Sequence, residues 1–228
     1  MKIIELKVGN SLQETIDRAP EGAVICLPEG IWEESIMIGK NLVIRGAGPE
    51  KTVIKGAEWD RSVIGVFNGF GKSLKTEVIL ENITIVEAKP WHAGVDVYGR
   101  SVRAILRNLR VSNSKEFGVT VRNFARVEVI NSTLSNNGSS GLYAGKGVQI
   151  TIENTLIEGN KGNGILVADK SHVVLSNTTI RNNTGWGIAA MIRKCLYPSD
   201  EFTGTVLWKD RGNKIYNNGK GDICLPLR

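Results

Sequence analysis

The sequence predicts an all-β fold, a single-stranded right-handed parallel β-helix with a short N-terminal capping helix. Two periodic signals lead to this prediction. Asparagine and glycine each recur at a constant step of 23 residues, at Asn108, Asn131, Asn154 and Asn177 and at Gly118, Gly141, Gly164 and Gly187. A fixed period of this size is typical of a solenoid, in which each coil buries its apolar side chains only against neighbouring coils. The 26 glycines and only 6 prolines also fit many tight turns between short strands.

The first element expected is a helix over residues 11–19. Ser11 is a suitable N-cap, and Glu14 follows three residues later. Apolar residues recur at helical spacing, at Leu12, Ile16 and Ala19. A helix at this position would cover the open end of the solenoid core.

The elements that follow are strands, because apolar and polar residues alternate within each coil. The residues expected to point inward after each repeated glycine are Val119 and Val121, Leu142 and Ala144, Ile165 and Val167, and Ile188 and Ala190. Another strand in each coil ends at the repeated asparagine, and the inward residues before and after that asparagine are Val127, Val129, then Leu134; Ile150, Ile152, then Ile157; and Val173, Leu175, then Ile180. Burying one such side chain contributes about 1.5–3 kcal/mol, so roughly five per coil outweigh local turn preferences.

The repeated asparagines are expected at the corners between strands. Asparagine tolerates a bent backbone and can hydrogen-bond to its counterpart one coil away, so the set from Asn108 to Asn177 is predicted to form an internal ladder. A second set marks another corner, at Asn113, Asn136 and Asn182, followed by Asn137, Asn160 and Asn183.

Two stretches interrupt the period. Asn217 lies 35 rather than 23 residues after Asn182, so 12 extra residues are expected in the last coil, as a loop at residues 196–205. Residues 59–74 form the second elaborated stretch and carry Trp59, Phe67 and Phe70 among glycines. No linker composition occurs, so residues 1–228 are expected to form one domain.

Composition narrows the range of partners. The net charge of +6 favours polyanions. Nucleic acid is disfavoured, because the chain shows no recognition helix, RNA-binding motif or array of stacking aromatics. No apolar run of 18 residues and no signal region is evident, so we expect a soluble chain without a membrane span, whose cellular location is unknown.

The three cysteines, Cys26, Cys195 and Cys224, lack metal-type spacing. Inert thiols are the simplest expectation, and a bridge between Cys195 and Cys224 across the last coil is the alternative. With only 2 histidines, a transition-metal site is not expected.

Four segments near the start of the chain resemble a known family. They are residues 11–16 (SLQETI), 22–30 (GAVICLPEG), 42–48 (LVIRGAG) and 52–56 (TVIKG). Together with the repeats they are similar to the pectin-lyase-like superfamily, which includes pectin methylesterases, mannuronan C5-epimerases and accessory proteins of nitrous-oxide reductase. The resemblance covers nearly the whole chain. It implies the β-helix fold and a polysaccharide or oligosaccharide partner, with Ca²⁺ as a cofactor if the chain is a uronate lyase.

The resemblance does not specify the reaction. The Gln-Asp-Thr-Leu segment of the methylesterases, the Asn-Thr-Asp of the polygalacturonases and the Asp-Pro-His-Asp of the epimerases are all missing from this sequence. The same scaffold carries enzymes and plain binding proteins, so the function has to be inferred from the residues of the site.

The candidate catalytic residues are Asp96, Arg122 and Tyr143. The second residue of each strand after the repeated glycine points outward, which aligns Asp96, Thr120, Tyr143, Leu166 and Ala189 in one column. Adjacent strands lie about 4.8 Å apart, so the three candidates should converge within two coils. A uronate lyase or epimerase needs a cation to neutralise the carboxylate and a base to remove the adjacent proton. A surface ion pair between Asp96 and Arg122 is the alternative explanation.

The candidate substrate-binding residues surround this set and are Trp91, His92, Tyr98, Lys146, Asp169 and Lys170. Trp91 and His92 precede Gly94 in a corner, where tryptophan offers a flat surface for a sugar ring. Packing of Trp91 under a loop is the alternative explanation. Tyr98 lies two residues beyond Asp96, and the other three follow along the same edge.

A different face carries basic residues. Arg103 and Arg126, with Arg107 and Arg110 nearby, could follow an anionic chain along the solenoid axis or serve as solubilising charge. His172 falls in the same outward column, away from Asp96.

Two functions fit these observations. The first is a carbohydrate-active or carbohydrate-binding protein for an acidic polysaccharide, with the type of reaction and catalysis itself left open. The second is a non-catalytic structural or assembly module that self-associates through an open C-terminal coil.

Overall fold

Short parallel strands stack at a nearly constant step and wind the chain into a parallel β-helix. The computed structural model describes residues 2–68, 75–197 and 202–226. Within these residues the strands form one sheet of 15 strands and one of eight. Ile152 pairs directly with Leu175 in parallel register. Segments 23 residues apart are therefore adjacent coils, and the predicted fold class is confirmed.

The strands of each coil fall into three stacks, of which the first two belong to the larger sheet. The first stack contains Ile3–Glu5, Ala23–Leu27, Leu42–Gly46, Thr76–Val86, Val102–Ser112, Arg126–Ile130, Gln149–Glu153, His172–Ser176 and Thr205–Trp208. The second stack contains Gly30–Glu33, Thr52–Lys55, the later halves of Thr76–Val86 and Val102–Ser112, Thr133–Ser135, Leu156–Glu158, Thr179–Arg181 and Lys214–Tyr216. The third stack contains Ile36–Ile38, Ile64–Phe67, Val95–Tyr98, Val119–Arg122, Leu142–Ala144, Ile165–Val167, Trp186–Ala190 and Gly221–Cys224.

The core runs along the middle of the solenoid. The predicted inward columns are buried, including Val119, Leu142, Ile165 and Ile188 of the third stack and Val129, Ile152 and Leu175 of the first. They belong to one continuous apolar cluster. Because strands in register place like residues above one another, each coil completes the burial of the next.

The predicted N-terminal helix is present over Leu12–Arg18. The Ser11 hydroxyl accepts the Glu14 backbone N–H at 3.2 Å, as expected of an N-cap. Leu12 and Ile16 are buried in the continuous core cluster. The carboxylate of Glu34 also accepts the Leu12 backbone N–H at 2.8 Å, which satisfies a second free donor at the helix start.

Asparagines hydrogen-bond between coils at both corners, but only the ladder at the second corner is buried. The side-chain amides of Asn137, Asn160 and Asn183 each donate at 2.9 Å to the asparagine in the next coil. The last acceptor is Asn218, which is also buried. Asn131, Asn154 and Asn177, in contrast, are exposed. Hydrogen bonds between coils do occur in this set as predicted, since the Asn108 amide donates to Asn82 at 2.8 Å and the Asn177 amide donates to Asn154 at 2.7 Å. The expectation that this ladder is internal is wrong, because the left-handed backbone (φ 46° to 50°) turns the side chains of the exposed residues to the surface.

The last coil is lengthened in two places. The step from His172 to its partner Thr205 is 33 residues, and the step from Ile180 to Ile215 is 35. Ten extra residues therefore precede Thr205, and two more follow it. The extra segment begins after the strand Trp186–Ala190, earlier than expected, and includes a 3₁₀ helix at Arg193–Cys195. Residues 198–201 of the expected loop lie outside the described part of the chain.

A disulfide joins Cys195 to Cys224, with 5.8 Å between the Cα atoms, so the alternative expectation for these cysteines is the one found. It ties the extra segment to the last strand of the third stack. Cys26 is a free thiol. The other elaborated stretch lies in the coil between Leu42 and its partner Val78, and its Phe70 lies outside the described residues.

Candidate functional site

The outer face of the third stack carries the candidate catalytic residues. Asp96 pairs with Thr120, and Thr120 pairs with Tyr143 in the next coil. Arg122 pairs with Tyr98. The structure therefore brings the candidates Asp96, Arg122 and Tyr143 together on three neighbouring strands.

The same column continues to two residues that are not accessible. Leu166 is 5% exposed and Ala189 is 0% exposed, although both point to the outer face. The extra segment of the last coil folds back over them, and Ile192, Cys195 and Cys224 pack against them in a small apolar cluster. The open part of the face therefore ends next to Tyr143.

The Asp96 carboxylate is held by three hydrogen bonds. Arg122 donates from Nε to Oδ1 at 3.1 Å and from Nη2 to Oδ2 at 2.5 Å. The Thr120 hydroxyl donates to Oδ1 at 2.5 Å. The Arg122 guanidinium also lies over the Tyr98 ring, with Cζ 5.5 Å from the ring centroid. The ion pair considered as the alternative is thus formed, in a bidentate geometry.

Arg122 keeps donors for a ligand. Its hydrogen bond to Asp96 is the main cause that raises the pKa of Arg122, so it is a permanent cation. The side chain is 50% exposed, and Nη1 makes no hydrogen bond to Asp96. A fixed guanidinium with spare N–H groups is suited to binding a carboxylate.

Tyr143 stands at the boundary between the open and the covered face. Its ring stacks on Phe117, with centroids 5.4 Å apart and an angle of 28° between the planes. Burial raises the pKa of Tyr143, and the nearby Arg122 charge opposes this only in part. The phenol therefore keeps its proton at neutral pH, which favours a role as proton donor over a role as base.

These residues surround a depression of about 190 Å³, which we call the third-stack depression. Its lining consists of Ser62, Trp91, His92, Ala93, Asp96, Phe117, Thr120, Arg122 and Tyr143. Trp91 is 88% exposed, so it does not pack under a loop. Ser62 and Phe117 were not among the predicted site residues. Ser62 comes from the elaborated stretch, and its hydroxyl accepts the Ala93 backbone N–H at 3.1 Å.

Four predicted binding residues, Tyr98, Lys146, Asp169 and Lys170, do not line the depression. Tyr98 lies beneath the Arg122 guanidinium. Asp169 accepts hydrogen bonds from the Thr203 backbone N–H at 2.8 Å and from the Thr203 hydroxyl at 3.0 Å. These bonds lower the pKa of Asp169, which anchors the extra segment. Lys146 Nζ is 3.9 Å from Asp169 Oδ2, and Lys170 is exposed in a left-handed turn.

The donor set does not suit Ca²⁺. In the ranges that the structure describes, no group of three or more His, Cys, Asp or Glu side chains could hold a metal ion. Ca²⁺ takes about 6–8 oxygen ligands, and the Asp96 oxygens already accept from Arg122 and Thr120. The described residues of the depression therefore do not supply the oxygen ligands that Ca²⁺ needs.

Comparison with known proteins gives the family. A family model described as "Right handed beta helix region" matches residues 68–221. No curated protein matches the sequence significantly. None of the described helices is long and apolar enough to cross a membrane.

Solved structures share the fold at low sequence identity. Pectate lyase Pel9A has a TM-score of 0.58 and 13% identity, with 83% of this chain and 68% of that chain covered. An alginate lyase from Paenibacillus sp. str. FPU-7 has a TM-score of 0.55 and 13% identity, with 96% and 97% covered. ORF18 of Geobacillus virus E2 has a TM-score of 0.56 and 12% identity, with 89% of this chain covered. This chain spans 55% of the viral protein. At these identities the likeness shows the fold alone.

Proposed function

This chain belongs to the family of right-handed β-helix proteins, and we propose that it is a carbohydrate-active or carbohydrate-binding member whose ligand is an acidic polysaccharide or oligosaccharide. The observation that carries the proposal is the third-stack depression, where an exposed tryptophan, a histidine and a fixed arginine meet. The names of two structures with this fold, a pectate lyase and an alginate lyase, support the class of ligand.

Trp91 is the proposed platform for a sugar ring. It is 88% exposed and adopts a left-handed backbone with φ 71°. A bulky residue in this conformation costs about 1–3 kcal/mol, and exposure means that packing does not offset the cost. The flat apolar face of an indole stacks well on a sugar ring, so binding accounts for the residue where folding does not.

Arg122 is the proposed partner of the ligand carboxylate. The Thr120 hydroxyl holds the Asp96 carboxylate, and that carboxylate holds the Arg122 guanidinium. Asp96 therefore acts as a positioning residue. Because the pair is nearly neutral overall, recognition comes from the spare guanidinium donors and not from a strong local field. A carboxylate accepts stronger, charge-assisted hydrogen bonds from these donors than a neutral sugar hydroxyl does, so we expect a preference for acidic chains.

The depression also suits removal of a proton next to a carboxylate. His92 takes the proton from the carbon beside the carboxylate, while Arg122 stabilises the charge that develops on it. In elimination, the electron pair forms a carbon–carbon double bond and the bond to the neighbouring sugar oxygen breaks. Tyr143 gives that oxygen its proton, and solvent restores both groups. In epimerisation, a proton returns to the same carbon from the other face.

The test is a glycan array followed by an absorbance assay for unsaturated products on pectate and alginate. We expect binding to acidic glycans that falls at least about fivefold in Trp91→Ala, taking the value of about 1–3 kcal/mol for a base stacked on one aromatic side chain as the guide. Trp59→Ala is the matched control, because Trp59 is 73% exposed but does not line the depression. The absence of binding to any glycan would remove the proposal, and binding without product would leave a binding protein.

A second candidate is the assembly module, with a second copy of this chain as its partner. It is favoured by exposed apolar side chains on the last coil, where Leu207 is 52%, Trp208 41% and Ile223 46% exposed. Among the described residues, the two strands that carry these side chains are each paired on one side only. Exposed apolar residues at such an edge favour edge-to-edge pairing. Light scattering should then show a dimer that Trp208→Ser disrupts. A monomer at high concentration would contradict this candidate.

A further inference from the structure

A second depression lies around a corner of the solenoid from the first, and we propose that it binds the carboxylate of a further uronic acid residue of the same glycan. This inference rests on the proposed function. The depression has a volume of about 420 Å³. Its charged lining residues are Lys75, Glu77, Arg100, Arg103 and Arg126, and we call it the basic depression.

The basic depression has more positive than negative charge. Four of the five charged residues are cations. Arg103 is paired with Glu77 at 3.3 Å and with Glu128 at 2.6 Å. Arg126, in contrast, forms no ion pair with the carboxylates of the described residues. An anion that enters the depression therefore meets the Arg126 guanidinium, which no carboxylate of the described residues compensates.

The sheet register places two arginines of the basic depression side by side. Arg103 and Arg126 are direct partners in neighbouring parallel strands, which lie about 4.8 Å apart. Like charges placed opposite one another destabilise a sheet. Glu77 and Glu128 both pair with Arg103, whereas Arg126 pairs with no carboxylate of the described residues. A ligand carboxylate bound at Arg126 would supply that missing partner.

Arg100 is already ordered for binding. Its Cζ lies 4.4 Å from the centroid of the Phe124 ring, which fixes the plane of the guanidinium. Stacking uses the face of the group and leaves its N–H edge free to donate. Because this side chain is held in place before the ligand arrives, less conformational entropy is lost on binding.

The two depressions are close enough for one short oligosaccharide. Arg122 lines the third-stack depression and Arg126 lines the basic depression. They are four residues apart in the chain, so their Cα atoms are at most about 14 Å apart. Arg100, over Phe124, belongs to the corner between them. A glycan held by Trp91 and Arg122 can thus place a further carboxylate against Arg126.

The test is isothermal titration of the full chain with hexagalacturonate, an alginate hexamer and methyl-esterified hexagalacturonate. Arg126→Gln should raise the dissociation constant of an acidic hexamer by roughly twofold to fivefold, which is the range expected for the loss of one exposed charge pair. Binding of the esterified hexamer should not change. Arg211→Gln is the matched control, because it removes the same charge from the exposed surface of the last coil. Arg126→Lys should restore part of the affinity.

The outcomes separate this inference from the proposed function. If Arg126→Gln binds the acidic hexamers like the wild type while Trp91→Ala does not bind them, the inference is overturned and the proposed function stands. Equal losses in Arg126→Gln and Arg211→Gln would also overturn it, since only net charge would then matter. Inorganic sulfate is titrated as a further probe. If sulfate binds at Arg126 and no hexamer binds, the basic depression is a general anion site and both proposals fail.

Discussion

Replacement of buried Asn160 by alanine should remove a large part of the stability of the solenoid. The Asn160 side chain is completely buried and makes four hydrogen bonds across coils. Its carbonyl oxygen accepts the backbone N–H of Asn137 at 3.0 Å and the side-chain amide of Asn137 at 2.9 Å. Its own amide donates to the Leu134 carbonyl at 3.1 Å and to Asn183 Oδ1 at 2.9 Å.

The magnitude follows from the groups that are left without partners. Alanine at position 160 removes the acceptor of the Asn137 backbone N–H and a donor to the Leu134 carbonyl, in a place that water does not reach. Each buried group without a partner costs about 1–3 kcal/mol, so we expect a loss of about 4 kcal/mol in the free energy of unfolding. This is a large fraction of the roughly 5–15 kcal/mol by which a domain is stable.

Urea unfolding followed by circular dichroism measures this loss. The control is Asn154→Gly, which removes one exposed hydrogen bond of 2.7 Å to Asn177 but keeps a residue that accepts the left-handed backbone. Its free energy of unfolding should change by about 0.5 kcal/mol or less. If Asn160→Ala unfolds at the same urea concentration as Asn154→Gly, the buried ladder does not stabilise the fold and the reasoning is refuted.

Three further predictions concern the outer face. Trp91→Gly should raise the free energy of unfolding by up to about 1 kcal/mol in urea, because the left-handed backbone is no longer strained, while titration shows weaker binding of acidic glycans. Asp169→Asn should speed hydrogen exchange of the Thr203 amide at neutral pH. Because the folded pKa of Asp169 lies below the ordinary 3.8, the wild type should show this loosening only as the pH falls below that value. Cys195→Ser with Cys224→Ser should lower the free energy of unfolding by about 2–4 kcal/mol, and reductant should then have no further effect; a wild type insensitive to reductant would contradict this.

The register of the fold could be predicted from the sequence because a pleated strand repeats its inward side chains at every coil. A single step of 23 residues therefore aligned Val129, Ile152 and Leu175. The buried asparagines could not be separated from the exposed ones in the same way. In the pair Asn136 and Asn137 both residues are of one type, and only the left-handed φ of 55° at Asn136 turns that side chain outward.

The site was predicted in part for a related reason. Neighbouring strands place Asp96, Arg122 and Tyr143 together through a register that the repeat already specifies. The extra segment has no such repeat. Its length could be predicted from the interrupted period, but its course over Leu166 and Ala189 could not. The outward column did carry a signal, because it changes from polar residues to Leu166 and Ala189, and apolar residues on an outer face need a cover.

The solenoid separates the residues that stabilise it from those that form the site. The inward columns and the buried asparagines supply the stability, while an exposed pair such as Arg122 with Asp96 adds only about 0–1 kcal/mol. Trp91 goes further, since its left-handed backbone lowers stability in the absence of a ligand. A single substitution that removes an unfavourable residue of this kind should both stabilise the protein and weaken its binding of acidic glycans. Such opposite signs, measured on one variant, distinguish a binding surface from ordinary solvated charge, for which both effects would be near zero.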